Sequence, residues 1–135
     1  MAGGGSEIEE INLNSRQESV LYWIFDCDQK NERDQKNKYL QGRKDNTPAS
    51  EWRWLIYDRR MAQRHAEHEL KRALRHARLV DPGLGSTFKA LHERGLILVE
   101  HADWDCFGNR DVRIQITRKG RTLIRKLFPD YKPSE

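Results

Sequence analysis

Three groups of residues have types and spacings that could do chemistry. His65-Ala66-Glu67-His68-Glu69 would put two imidazoles on one face of a helix, as a divalent metal site requires. The metalloprotease spacing His-Glu-x-x-His needs a histidine at position 72, where Arg72 stands, and the basic neighbourhood repels cations. Gly83-Leu84-Gly85-Ser86-Thr87 has the small residues and hydroxyls of a phosphate-cradling loop. It lacks the lysine before the hydroxyls and follows no strand. Cys27 and Cys106 are too far apart for a Cys-x-x-Cys site, and each sits beside an aspartate, which disfavours the reactive thiolate. No acid–base or nucleophile pair is left. The sequence reads as a non-enzyme that needs neither metal nor cofactor.

The elements that would position any site come from a short, highly charged chain. Its 135 residues fit one domain, with 34% charged residues against 36% apolar ones and a net charge of +4. The longest apolar run, Val20 to Phe25, falls far short of the ~20 residues of a membrane span. The Gly-rich, acidic start has no basic stretch and no apolar core of the kind a secretory signal carries. The reading is a reduced, cytoplasmic protein. The charge is uneven: residues 1–28 hold one base, Arg16, and six acids, while the rest of the chain carries +9. An acidic start and a basic remainder suggest that one face seeks a polyanion.

Residues 1–14 read as a flexible tail. Ser15-Arg16-Gln17-Glu18 has capping-box form, so a helix is predicted from there to about Asp28, with Val20, Leu21, Ile24 and Phe25 as its apolar stripe. Tyr22 and Trp23 widen that stripe past half the circumference. The polar stretch 29–46 reads either as a long loop or as a helix extension followed by a loop at Gly42. Thr47-Pro48 starts a second predicted helix, Pro48–Met61, carrying Trp52, Leu55 and Ile56. Helical spacing continues to about Arg78, as one helix or two, with Arg64, Lys71, Arg72, Arg75 and Arg78 on the polar side. Asp81-Pro82 opens the next helix, with Leu84, Phe88 and Leu91 inward, and Gly95 ends it. Leu96–Val99 and the strict alternation of Val112, Ile114 and Ile116 read as a hairpin around a polar loop. Thr117 caps a last helix, whose inner face is Leu123, Ile124, Leu127 and Phe128, and Pro129 stops it.

The fold class expected is mainly α with a small β-hairpin wing: a winged helix-turn-helix. His92-Glu93-Arg94-Gly95-Leu96-Ile97 and Ile116-Thr117-Arg118-Lys119-Gly120 resemble two signatures of MarR-like and PadR-like transcriptional regulators. The resemblance covers roughly the last 60 residues. It implies a winged-helix core, placed in 59–128; the whole reading is a single winged-helix domain over 15–128, with the broad apolar helices of 15–58 as N-terminal dimerisation helices and a tail in 129–135. The resemblance implies a DNA-binding transcriptional regulator, nucleoid-associated, whose partner is double-stranded DNA. A recognition helix (about 82–94) would enter the major groove, and a wing (about 102–111) would lie on the minor groove or backbone.

The residues expected to touch DNA are Ser86, Thr87 and Lys89 on the recognition helix, Arg72, Arg75 and Arg78 on the preceding helix, Asn109 and Arg110 at the wing tip, and Arg113 on its strand. Trp104 and Phe107, unusual on a wing, are expected to pack on a neighbouring helix. The two broad apolar helices, Arg16–Asp28 and Pro48–Met61, suggest a homodimer matched to a symmetric operator. The alternative is a winged-helix module that binds protein and not DNA.

Overall fold

A long N-terminal helix organises the protein. In the computed structural model, whose described residues are 12–42, 52–57, 69–79, 83–100, 104 and 112–132, α1 is Ser15–Leu40. Its cap lies one residue earlier than the sequence suggested. The Asn14 side chain accepts from the Gln17 backbone N–H at 2.8 Å, and the Gln17 side chain accepts from the Asn14 N–H at 3.1 Å. The box is the expected device in a different register, because an Asn amide oxygen caps as well as a Ser hydroxyl. Of the stretch expected to be a tail, residues 12–14 are tied down: Leu13 packs against the core and the Asn12 carbonyl accepts from Arg94.

The helix does not stop at Asp28. It continues for three more turns to Leu40, and Gly42 follows with φ +75°. The extension reading of the polar stretch is the one the chain adopts. Twenty-six residues give a rod of ~39 Å, of which only the first half faces the core. Val20, Leu21, Ile24, Phe25 and Cys27 are buried, whereas Tyr39 and Leu40 are 82% and 71% exposed.

The second expected helix is corrected. Leu55–Tyr57 is a strand, β1, and it interrupts 48–78, which is therefore not one helix. Leu55 and Tyr57 point inward on alternate positions, and the segment gains its backbone hydrogen bonds from a neighbouring strand. Glu69–His76 forms α2 and Leu84–Glu93 forms α3. The structure caps α3 with Gly83; the Asp81-Pro82 start signal lies outside the described residues.

The remaining elements are β2 (Ile97–Glu100), β3 (Val112–Ile116) and α4 (Arg118–Leu127). The hairpin expected from β2 and β3 is present, and β1 joins it to give an antiparallel sheet of order β1-β3-β2. Leu55 pairs with Ile114 on one side of β3, and Val99 pairs with Ile114 on the other. The molecule is thus mainly helical, with a small three-stranded sheet. No helix among the described residues is long and apolar enough to cross a membrane.

Two local devices close the fold. Gly95, at φ +74°, ends α3: the Gly95 N–H donates to His92 O and the Leu96 N–H to Leu91 O. This pair is the Schellman pattern that a left-handed glycine permits. It turns the chain so that Leu96 and Ile97 bury behind α3. Thr117 caps α4 as expected, accepting from the Gly120 N–H at 3.0 Å and donating to Gly95 O at 2.8 Å. A Cβ on Gly120 would press on the Leu96 carbonyl and come within 2.8 Å of Ile116 Cγ1, so α4 can approach the sheet only with glycine there.

Candidate nucleic-acid interface

The surface expected to carry the DNA-facing residues of the helices is built by α2, residues 77–79 beyond it, and α3. Leu84, Phe88 and Leu91 bury the inner face of α3, with Phe88 meeting the β1 residue Tyr57 edge-on at a 5.6 Å centroid distance. That packing leaves Gly83, Ser86, Lys89 and Glu93 exposed on the outer face, with Gly85 and Ala90 at its margins. Ser86 and Lys89, two of the three residues of this helix expected to touch DNA, face outward. On α2, Leu70 and Leu74 turn inward and Arg72 and Arg75 are exposed, as is Arg78 just beyond. Lys71, expected on the polar side, is only 2% exposed; it lies on the edge of the Leu70–Leu74 face.

Thr87 is a correction. It is 5% exposed, and its hydroxyl accepts from Arg16 Nε at 3.0 Å and donates to Gly83 O at 3.2 Å. It holds the first turn of α3 in place and presents nothing to a groove. Arg16 Nη2 also donates to Leu79 O at 3.0 Å. One guanidinium from α1 therefore ties the α2–α3 turn to the start of α3, using the fork of donors that lysine lacks. The sequence marked Arg16 only as the lone base of the acidic segment; its long-range partners left no local signal.

Arg113 is already engaged. It is half-buried, donates to Glu100 Oε1 at 3.2 Å, and lies 5.0 Å over the Trp54 ring. The pair Asn109 and Arg110, and Arg64, lie outside the described residues. So do His65 and His68. Trp104 packs as expected, its ring 5.8 Å from that of His92 on α3.

Arg78 carries a feature the sequence does not announce. It is the one non-glycine residue at positive φ (61°) among the described residues. Its N–H donates to Arg75 O at 2.9 Å, and the Leu79 N–H donates to Leu74 O at 2.8 Å. These bonds make the same helix stop that Gly95 makes, on a side chain that disfavours the left-handed region by roughly 1 kcal/mol or more.

The chain matches no protein-family model, no curated protein and no solved structure. The reading of this face therefore rests on its own chemistry. The expected homodimer also loses the features that suggested it. Tyr22, which broadened α1, stacks within the chain on Phe128 (5.1 Å) and Tyr131 (5.8 Å), and the second broad helix is a strand at Leu55–Tyr57.

Proposed function

We propose that this protein binds double-stranded DNA as a winged-helix transcriptional regulator, with α3 in the major groove and the outer residues of α2 on the phosphates. The observation that carries the reading is the run of exposed bases Arg72, Arg75, Arg78 and Lys89 along α2, its turn and α3. Their spacing suits phosphate contacts, which position a recognition helix. Arg78 at positive φ, where glycine would relieve the backbone, adds to it: a strained residue points to use of its side chain. From α2 onward, the order helix, helix, strand, strand and helix is the order the resemblance implies.

Selection of bound duplexes from genomic fragments, followed by gel shifts, tests the proposal. Lys89→Ala and Arg75→Ala should each weaken the shift. Equal shifts for all three proteins would remove α2 and α3 from the interface.

A specific feature favours a second reading, a protein-binding module. The outward face of the sheet places Ile56, Arg113 and Glu100 in one row and Gln115 and Leu98 in the next. Trp54 stacks on Arg113, and Leu98 is 47% exposed. Trp and Arg amid aliphatic groups are the residues that anchor protein contacts. Under that reading Leu98→Glu abolishes partner capture, while loss of Lys89 does nothing.

A further inference from the structure

We propose that the acidic segment Glu7-Ile8-Glu9-Glu10 docks on a basic corner at the end of α3 and competes there with a polyanion. The corner consists of Arg94, Arg118 and Lys119, all exposed. Lys119 Nζ donates to the Arg94 backbone carbonyl at 3.1 Å, which holds the lysine ammonium at the end of α3, where α4 begins. Glu93 is the acid beside them on α3, so the local balance stays basic. Lys89 lies five residues back along the same helix, a rise of ~7.5 Å.

The chain itself enters at this corner. Arg94 Nη1 donates to the Asn12 carbonyl at 2.6 Å. Residues 1–11 contain three glutamates and neither Lys nor Arg. Glu9 and Glu10 precede Asn12 by three and two residues, a reach of ~7–11 Å at full extension, and Glu7 reaches ~18 Å. Arg94, which holds Asn12, and Lys119, on the Arg94 carbonyl, lie beside the start of that tether. A segment joined this closely meets the corner at an effective concentration in the millimolar range, so weak ion pairs suffice to occupy it. A phosphate chain following α3 would have to displace them. The consequence for DNA rests on the function proposed above; the docking does not.

The experiment uses the full chain with two double substitutions of equal charge change: Glu9→Gln/Glu10→Gln, and the distant control Asp34→Asn/Asp130→Asn. Zero-length carbodiimide cross-linking with peptide mass spectrometry reads the docking. Anisotropy of a labelled duplex DNA reads the competition. Docking predicts a cross-link from Glu9 or Glu10 to Lys119 in the unsubstituted chain. Competition predicts that Glu9→Gln/Glu10→Gln binds DNA at least about threefold tighter than the control pair at low salt, with the gap closing as salt screens the segment. Absence of the cross-link overturns the docking whatever the DNA result. A cross-link with equal DNA affinities for the two pairs overturns the competition. If no variant binds DNA, the function proposed above fails, and the cross-link still decides the docking.

Discussion

The tetrapeptide Asp-Gln-Lys-Asn occurs twice in α1, at 28–31 and at 34–37, and the two copies live in different surroundings. In the first copy every residue has a partner. Asp28 is buried and accepts from Arg53 Nη1 at 2.7 Å, and Gln29 Nε2 donates to Asp28 at 3.2 Å. Lys30 lies 3.8 Å from the buried Asp26, and Asn31 Nδ2 donates to Trp52 O at 3.4 Å. In the second copy Asp34, Lys36 and Asn37 are exposed. Four identical residues in one continuous helix thus act as a structural joint in one place and, Gln35 being half-buried, as mostly solvated surface in the other. What differs is the neighbour: Arg53, on the approach to β1, pairs with both Asp28 and Glu32, and Arg121 of α4 adds its charge to Asp28 from a third element.

The contrast sets an order of expected effects, each an inner change set against an outer one. The largest belongs to glycine. Gly120→Ala forces the Leu96 carbonyl and Ile116 apart from α4, and we expect a loss of about 3 kcal/mol or more in denaturant unfolding. Gly42→Ala at the outer end has open space around the new methyl and carries only the cost of its positive φ, about 1 kcal/mol.

Asp28→Ala removes the partner of a largely buried arginine. With Glu32 still pairing Arg53, we expect a loss of about 2–3 kcal/mol by the same measurement. Asp34→Ala should stay within about 0.5 kcal/mol. The pH response sharpens this pair. Burial raises the Asp28 carboxyl above its ordinary value of 3.8, outweighing the Arg53 guanidinium that lowers it. The folded state therefore holds that proton more tightly than the unfolded one. Between 3.8 and the raised value, this carboxyl's contribution to stability falls as pH rises. Asp28→Asn, which keeps the shape, should remove that slope from a pH series of melting temperatures, and Asp34→Asn should leave it.

Tyr131 donates to the buried Asp26 at 2.6 Å and stacks on Phe25 at 4.8 Å; burial first and then that hydrogen bond raise its phenol above the usual range. Tyr131→Phe should cost about 1–2 kcal/mol, while Tyr39→Phe at the outer end should cost nothing measurable. The smallest effect has the opposite sign. Arg78→Gly should stabilise the fold by about 0.5–1 kcal/mol while weakening DNA binding, which separates backbone relief from use of the side chain.

Much of this architecture was legible where the signal is local. Gly95, Thr117, Pro129, the alternation of Val112 to Ile116 and the inward trio of α3 all act through neighbours within a few residues. β1 was not legible because Trp52–Tyr57 is apolar at nearly every position, a pattern that fits either period. The far half of α1 was legible only as one of two alternatives, because it has no apolar stripe to announce it and extends a helix already begun. The inward turn of Thr87 was hidden for another reason. It depends on Arg16, 71 residues away.

The proposed DNA contact rests on the outer faces of α2 and α3 meeting phosphates. The most direct measurement is the slope of log affinity against log salt for a duplex DNA, in the native chain and in Arg72→Ala/Arg75→Ala/Arg78→Ala/Lys89→Ala. Each phosphate contact contributes roughly 0.9 to that slope. We expect the quadruple variant to lose about three and a half units of slope along with most of its affinity, while keeping a cooperative unfolding transition. An unchanged slope in a folded variant would show that these four side chains meet no phosphate.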